Sequence, residues 1–247
     1  NNLDDLTCTA GNFTDLDGDN VTERYAWTLN GVALAETGTV LSVAKSTGDT
    51  VACTVSVTDG LLTTSAVASI IIANSAPTIN ALALPATFYT NDTITASATA
   101  SDPDGQTVLY TFDWSVDGVT VQSSSNDTLD GTQYFDKGQT ITVTVTASDG
   151  ITSVSQTSAP VTCGNSTPTP PTLALAPVSP IEGSDDLVCS IAASASDDDG
   201  DSLSYSFSWM VDGNTFSGAA DAATSSTVTG ANTSAGESWM CSVTAND

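Results

Sequence analysis

The chain has 247 residues, with 29 acidic side chains, three basic ones and no histidine, which gives a formal net charge of −26. Such a surface repels nucleic acid and anionic lipid, because binding to either requires a basic patch. The absence of histidine excludes the Ser-His-Asp and Cys-His catalytic arrangements and every imidazole metal ligand. We therefore expect a protein that is not an enzyme, that binds no nucleic acid and that does not insert directly into a membrane.

The composition predicts an all-β protein. Thr, Ser, Val and Ala are abundant, whereas Lys, Arg, Glu, Gln and Met are scarce. β-Branched residues suit pleated strands, and the scarce residues are among those that favour helices. Apolar residues make up 40% of the chain, which is enough to form packed cores. No apolar run is long enough to span a bilayer as a helix.

The predicted elements follow one another as three copies of a single pattern. Each copy has an acidic turn, then a Trp that is followed by Asn-Gly or Asp-Gly, then an alternating strand. Trp114 lies 87 residues after Trp27, and Trp209 lies 95 residues after Trp114. The Gly-containing pairs predict hairpin turns, because they tolerate positive φ. A period of about 90 residues fits a small β-sandwich domain rather than a short solenoid repeat.

Two Pro-bearing links divide the copies and predict three domains, at 1–75, 76–166 and 167–247. The links begin Asn74-Ser75-Ala76-Pro77 and Asn165-Ser166-Thr167-Pro168. Pro stiffens such junctions, so the domains should follow one another like beads on a string. The first repeat has too few residues for a first strand, and the third ends before a last strand, so both should expose sheet edges. Either a longer array or donor strands from neighbouring subunits would fill them.

The acidic turns are the candidate metal sites. Their carboxylates fall at alternate positions, and hard cations such as Ca²⁺ take oxygen ligands, so calcium is the expected cofactor. The alternative is that these are solvated Asp-Gly turns that cap their own backbone. The acids that end the alternating strands could join a site near a junction. The turn acids are Asp15, Asp17, Asp19, Asp102, Asp104, Asp197, Asp199 and Asp201, with Gln106 at the remaining position, and the strand-end acids are Asp59, Asp149 and Asp247.

Two of the copies carry a Cys-Trp-Cys order that resembles immunoglobulin-like repeats, and more closely the PKD-like and bacterial Ig-like repeats of large bacterial and archaeal surface proteins. Cys8 and Cys53 flank Trp27, and Cys189 and Cys241 flank Trp209. The resemblance implies tandem Greek-key β-sandwiches with disulfides Cys8–Cys53 and Cys189–Cys241 joining the two sheets. It also implies a core position for the Trp of each repeat. Disulfides imply an oxidising compartment, so we expect an extracellular or cell-surface location.

The middle copy departs from this pattern. It has Thr95 and Val143 where its neighbours have Cys, yet it keeps Trp114. The PKD motif, an aromatic residue followed by Asp-Phe-Gly-Asp-Gly, is absent, and Phe112-Asp113-Trp114 resembles it only loosely. Cys163 is left without a partner. It is either a buried free thiol or a site of intermolecular cross-linking.

These features predict an extracellular structural segment, such as a stalk, adhesin or surface fibre, that disulfides and calcium stiffen. Its expected partners are other copies of itself, neighbouring repeats or a surface ligand. Two alternatives stay open: a self-assembling filament subunit that exchanges strands, and a non-catalytic accessory module of a secreted hydrolase. Asn-x-Ser/Thr sequons provide candidate glycosylation sites. They begin at Asn12, Asn20, Asn91, Asn126, Asn165 and Asn232.

Overall fold

The computed structural model describes residues 4–247, which form three successive units made almost entirely of β-strands. In repeat one, four strands form a sheet in the order β3-β2-β5-β6, and β1 pairs with β4 to form a second sheet. The strands are β1 (Leu6–Thr7), β2 (Thr22–Leu29), β3 (Val32–Ala33), β4 (Val40–Leu41), β5 (Thr50–Thr58) and β6 (Thr63–Ile71).

Repeat two has the same plan with further strands at its start. One sheet has the order β11-β10-β13-β14, with β15 also on β13, and the other comprises the pairs β8-β12 and β7-β9. A four-residue helix, α1 (Gly131–Tyr134), follows β12. The strands are β7 (Thr78–Ala83), β8 (Thr93–Thr95), β9 (Ser97–Ser101), β10 (Leu109–Val116), β11 (Val119–Ser124), β12 (Thr128–Asp130), β13 (Thr140–Ser148), β14 (Ser153–Thr157) and β15 (Val161–Thr162).

Repeat three consists of one sheet in the order β16-β17-β21-β20 and another in the order β19-β18-β22. A 3₁₀ turn covers Gly230–Asn232. The strands are β16 (Thr172–Ala176), β17 (Leu187–Ala193), β18 (Ser204–Val211), β19 (Asn214–Phe216), β20 (Ala220–Asp221), β21 (Ser225–Val228) and β22 (Trp239–Asn246). Strands β16, β17, β21 and β20 correspond in order to strands A, B, E and D of the immunoglobulin arrangement, and β18 and β22 correspond to its strands C and F on the other sheet. The predicted fold class, a tandem array of immunoglobulin-like sandwiches, is confirmed. No helix within residues 4–247 is long and apolar enough to cross a membrane.

The predicted hairpin turns are present in all three repeats, and their backbone explains the sequence. The first residue of each turn has positive φ, at 51° for Asn30, 49° for Asp117 and 52° for Asp212. The Gly that follows each has φ of 80° or 81°. Two successive positive φ values define a type I′ turn, whose twist matches that of the paired strands.

Each sandwich packs around its Trp. Trp27, Trp114 and Trp209 are only 3%, 0% and 1% exposed. The two expected disulfides cross from one sheet to the other, each with a Cα–Cα distance of 6.4 Å. They join residues 45 and 52 apart in sequence, so each bridge contributes about 4 kcal/mol on the chain-entropy account.

The assignment of Thr95 to the cysteine position of repeat two is wrong, because the strand register puts Ala96 there. The backbone N–H of Cys8 donates to Thr39 O, and that of Ala96 donates to Asp127 O, both at 2.8 Å. Ala96 is 4% exposed, whereas Thr95 is exposed. A shift of one residue along a strand moves a side chain to the opposite face, and spacing of motifs alone could not resolve it.

Repeat two has no disulfide but has the largest buried core. Val143 stands opposite Trp114, as Cys53 stands opposite Trp27 in repeat one. Cys163 belongs to this core as a free thiol that is 2% exposed, and burial raises its pKa. The structure therefore supports a buried thiol. Other members of the core are Phe88, Ile94, Phe112, Leu129, Phe135, Ile141 and Val145.

Candidate functional site: the junctions between repeats

The acidic turn has the same local geometry in every repeat. One carboxylate oxygen of its first Asp accepts backbone N–H groups from the residues two and four positions later. The shorter bonds are 2.9, 2.8 and 2.9 Å, and the longer ones are 3.3, 3.2 and 3.3 Å, for Asp15, Asp102 and Asp197 respectively. The following Gly of each turn has φ between 73° and 82°. The first acid thus caps its own turn, as one of the two sequence interpretations proposed.

The middle acid of repeat two reaches across the junction to the preceding link. Oδ2 of Asp104 accepts the backbone N–H of Ser75 at 2.6 Å and the hydroxyl of Thr47, in repeat one, at 3.2 Å. The hydroxyl of Ser75 donates to Oδ1 of Asp104 at 3.3 Å. This single carboxylate therefore holds both the link and the end of repeat one.

In repeat three, Asp199 makes the same contact with the link that precedes it. The backbone N–H of Ser166 donates to Oδ2 of Asp199 at 2.5 Å, and its hydroxyl donates to Oδ1 at 3.3 Å. Burial acts to raise the pKa of Asp199. Hydrogen bonds from Thr90 and Ser166, together with the charge of Lys137, outweigh this effect and lower the pKa below its ordinary value.

The Asn that precedes each link Ser is bound by a strand-end acid. Nδ2 of Asn74 donates to Oδ2 of Asp149 at 2.8 Å, and Nδ2 of Asn165 donates to the carboxylate of Asp247. The hydrogen bond from Asn74 is the largest reason that the pKa of Asp149 lies well below its usual range. The strand-end acids therefore do act near the junctions, as hydrogen-bond acceptors.

We call each link Asn-Ser pair, together with the two Asp side chains that bind it, a junction clamp. The first clamp is Asn74, Ser75, Asp104 and Asp149, and the second is Asn165, Ser166, Asp199 and Asp247.

Only the second junction adds an ion pair within the described residues. Nζ of Lys137 donates to Oδ1 of Asn165 at 2.8 Å and pairs with the carboxylate of Asp201. The hydrogen bond to Asp201 is the largest cause of the raised pKa of Lys137. The corresponding residues at the first junction are Thr47 and Gln106, which are uncharged.

Repeat one has the same acids without a link bound to them in residues 4–247. Oδ1 of Asp59 accepts the backbone N–H groups of Leu61 and Leu62 at 2.7 and 2.6 Å, and these bonds lower its pKa. Asp149 binds its own loop in the same way, with bonds of 2.7 and 2.6 Å. Asp17 is exposed. The acids of repeat one thus keep the loop geometry of the clamp and provide a matched reference.

The donor set at the second junction fits a hard cation. Asp197, Asp199 and Asp201 each offer a carboxylate oxygen, and these atoms lie within 4.8 Å of one another. Within residues 4–247, the acids Asp15 and Asp17 do not converge with Asp19 in this way. Within residues 4–247, three buried oxygens at the junctions have no hydrogen-bond donor, and a cation would satisfy them. They are Oδ2 of Asp102, Oε1 of Gln106 and Oδ2 of Asp197.

The sequence interpretation missed the side chains of the links themselves. Asn74 and Asn165 each come two residues after a buried residue at the end of a sandwich, Ile72 and Cys163. This shared Asn-Ser spacing was the available signal. Lys137 was a second signal, because the chain has only three basic residues.

One candidate glycosylation site is part of a clamp. Nδ2 of Asn165, the atom to which a glycan would attach, donates to Asp247 and to the carbonyl of Ser166. Modification would remove a donor from this junction. The remaining sequon asparagines are exposed in the structure: Asn12, Asn20, Asn91, Asn126 and Asn232.

Comparison with known proteins yields structural likeness only. No protein-family model matches the chain, and no curated protein matches it. The three N-terminal domains of Hoc, the highly immunogenic outer capsid protein of bacteriophage RB49, are 15% identical, with a TM-score of 0.32. That alignment covers 98% of this chain and 86% of the other.

Two other solved arrays are similar to the same degree. Extracellular domains 3–5 of Drosophila OTK are 13% identical with a TM-score of 0.29, over 96% of this chain and 90% of that one. Chicken CNTN1 domains FN1–FN3 are 12% identical with a TM-score of 0.30, over 98% and 88% respectively. At these TM-scores the assignment of the fold rests on the sheet order described above.

Proposed function

We propose that the chain is an extracellular structural segment, a stalk, adhesin or surface fibre, whose junction clamps hold successive sandwiches in a fixed relation. The observation that carries this proposal is the recurrence of one clamp at both junctions, built from the same residue types. In each, a Ser backbone N–H and an Asn side-chain amide donate to two Asp side chains of the following repeat.

The physical effect of a clamp is to restrict the link. Hydrogen bonds that involve a charged carboxylate are shorter and stronger than those between neutral groups. Two of them on adjacent residues limit rotation about the link backbone, and the Pro two residues after each Ser limits it further. Junctions of this kind suit a spacer, which has to keep its two ends apart.

Two observations support the location and the absence of catalysis. The two disulfides suit an oxidising environment, as in secreted and cell-surface proteins. The strand-end and middle acids of the clamps accept hydrogen bonds from backbone and amide donors. We therefore propose a mechanical rather than an enzymatic role.

We further propose that Ca²⁺ binds at the acidic turn of the second junction. Asp197 would contribute the oxygen that has no hydrogen-bond donor, and Asp199 and Asp201 would contribute further oxygens. Ca²⁺ takes six to eight oxygen ligands, so water would complete the shell. When bound, the ion would neutralise like charges beside the link. Within the chain, Asp197 caps the turn with its other oxygen and Asp199 holds the link Ser.

Thermal unfolding of the oxidised chain with Ca²⁺, with Mg²⁺ and with a chelator, at matched ionic strength, tests the calcium proposal. We expect stabilisation by Ca²⁺ alone. D197N should abolish it, because Asn keeps the oxygen that caps the turn and loses the second oxygen. D15N is the matched control in repeat one and should keep the stabilisation. Equal melting curves in all three media would refute calcium binding and leave the clamp proposal standing.

A second test addresses stiffness directly. Spin labels placed on adjacent repeats should give a narrow distance distribution in the intact chain. Replacing Ser75 and Asn74 with Gly should broaden it. A distribution that is already broad in the unaltered chain would overturn the proposal that the clamps fix the junctions.

A further inference from the structure

The two methionines of the chain form a pair on repeat three. The sequence contains only two, Met210 and Met240. Met210 lies on β18 and Met240 lies on β22. The register of these antiparallel strands places the two residues directly opposite each other. Strand pairing therefore brings together the only two thioether groups that the chain has.

Both methionines point away from the core of the sandwich. Their neighbours Trp209 and Cys241 lie opposite each other and point inward, since Trp209 is 1% exposed and Cys241 is bonded to Cys189. Successive residues of a strand point to opposite faces of the sheet. Met210 and Met240 therefore lie on the outer face, where they are 40% and 55% exposed.

The outward position of the pair does not depend on what lies beside β22. In repeat two the corresponding residues are Ser115 and Thr142, which lie opposite each other on β10 and β13. Strand β13 has partners on both of its sides. Even so, Thr142 keeps part of its surface exposed. A further strand beside β22 would likewise leave the outer face accessible to a ligand.

The surroundings of the pair are polar. On β19, the residue opposite Met210 is Thr215. The other outward residues of β18 and β22 are Ser204, Ser206, Ser208, Ser242, Thr244 and Asn246. The pair is therefore an isolated apolar spot, smaller than the patches of a few hundred Å² that mark docking surfaces. It differs from a pair of leucines in one respect, because it offers two soft sulfur donors.

Two thioether sulfurs at this spacing can bind one metal ion between them. The Cβ atoms of directly opposite residues are about 5 Å apart. Two metal–sulfur bonds of about 2.3 Å each place the sulfurs about 4.6 Å apart when the ion lies on the line between them. A methionine side chain turns about three bonds, so both sulfurs can reach this separation without a change in the backbone.

We propose that Met210 and Met240 form a binding site for a soft, monovalent metal ion, Cu(I). Thioether sulfur is a soft ligand that selects Cu(I), whereas Ca²⁺ and Mg²⁺ take oxygen ligands. The net charge of −26 raises the local concentration of cations. The cysteines compete little, because four of them form disulfides and Cys163 is buried.

The pair lies far along its strands from the second junction clamp. Asp201 precedes the start of β18 and Asp247 follows the end of β22, whereas Met210 and Met240 lie near the opposite ends of these strands. The two sites also take different donor atoms. Binding of Cu(I), binding of Ca²⁺ and rigidity of the junctions are therefore separate readouts, and each can fail without the others.

The test uses the full oxidised chain with ¹³C-labelled methionine methyl groups. The chain then gives only two methyl signals in an NMR spectrum, one from each methionine. Cu(I) is added in the absence of oxygen. Both signals should shift together and stop changing at one Cu(I) per chain. Ca²⁺ at the same concentration should leave both signals unchanged, because it does not take sulfur ligands.

Replacing one methionine with leucine separates metal binding from packing, since leucine has a similar volume and no sulfur. M210L and M240L should each weaken binding of Cu(I) at least about tenfold, because losing even the partners of metal ligands costs about 10- to 100-fold in affinity. Both positions are exposed, so the melting temperature should stay close to that of the unaltered chain.

A matched control keeps two methionines and separates them. S206M/M210S leaves both sulfurs on the same face but four residues apart along the strands, which is about 13 Å. This variant should bind Cu(I) as weakly as M210L does. Cys163 is present in every variant. Differences in the Cu(I) that each variant takes from a coloured Cu(I) chelator therefore report the methionine pair alone.

Three results would overturn the proposal. The first is the absence of a saturable shift of the methyl signals when Cu(I) exceeds the chain. The second is binding by M210L or by S206M/M210S that equals that of the unaltered chain. The third is an equal shift caused by Ca²⁺, because a hard ion would then be acting through oxygen donors.

Discussion

The two junctions share a clamp and differ in charge. At each, a link Ser and the Asn before it donate to two Asp side chains of the next repeat. The second junction adds the ion pair between Lys137 and Asp201, where the first has the neutral residues Thr47 and Gln106. The clamp is therefore common to both junctions, and the ion pair is an addition at the second.

The two junctions should respond differently to ionic strength. The hydrogen bonds from the Ser75 and Ser166 backbone N–H groups are short and partly buried, so salt screens them little. The ion pair of the second junction involves partly exposed side chains and is screened more strongly. The first junction should therefore be less sensitive to ionic strength than the second.

The largest expected effect comes from removing the middle acid of a clamp. D104A and D199A should each destabilise the closed junction by about 1–2 kcal/mol, because the Ser backbone N–H loses a charged acceptor. This corresponds to about 5- to 30-fold faster hydrogen exchange of the Ser75 or Ser166 amide. The matched control is D17A in repeat one, which should leave both amides unchanged. Unchanged exchange in D104A would contradict the clamp at the first junction.

A smaller effect is expected from removing the charge of Lys137, which is present at the second junction and has no counterpart at the first. K137Q should accelerate exchange of the Ser166 amide less than D199A does, and the difference from the unaltered chain should disappear in high salt. The Ser75 amide should not respond. The reciprocal double variant, T47K with Q106D, should give the first junction the salt dependence of the second. A response of K137Q that is independent of salt would show that the lysine acts through packing rather than charge.

The pH dependence should also differ between the junctions. Asp149 and Asp199 have folded pKa values below their ordinary ones. Their contribution is therefore complete above the unfolded pKa of about 3.9 and is lost as the pH falls through the folded values.

The contribution of Lys137 to the stability of the second junction depends on pH in the opposite direction. Its folded pKa is raised, so its contribution is complete below about pH 10.4 and is lost as the pH rises through the folded value. Amide exchange corrected for its intrinsic pH dependence should show both junctions opening in acid and only the second weakening in strong base. Weakening of the first junction in base would contradict this assignment.

The smallest effect is expected for S75A and S166A. Each removes a hydroxyl that is 3.3 Å from its Asp oxygen but keeps the shorter bond from the backbone N–H. We expect less than about a threefold change in amide exchange. An effect as large as that of D104A or D199A would show that the hydroxyl, and not the backbone, carries the clamp.

Much of the fold could be predicted because it depends on local rules. The Asn-Gly and Asp-Gly pairs require a turn with positive φ, and alternating strands require one buried face. The residue in place of Cys8 could not be predicted, because Thr95 and Ala96 differ by one position and only strand pairing decides which side chain points inward.

The candidate site, too, could be predicted only in part from the sequence. The acidic turns could be located from sequence, because Asp and Gly at fixed spacing are a local signal. Their partners could not, because Asp104 and Ser75 are 29 residues apart in the chain and meet only when a sandwich folds back onto its own link.

The sequence by itself determined the number of repeats, their β character, the turns and the acidity, since these depend on residue type and spacing along one strand or loop. Tertiary structure alone decided which acids hold a link, which residue takes the cysteine position in repeat two, and which oxygens within residues 4–247 have no donor. The reason is physical. Hydrogen bonding and burial depend on groups brought together by the pairing of sheets, and that pairing joins segments that sequence spacing does not relate.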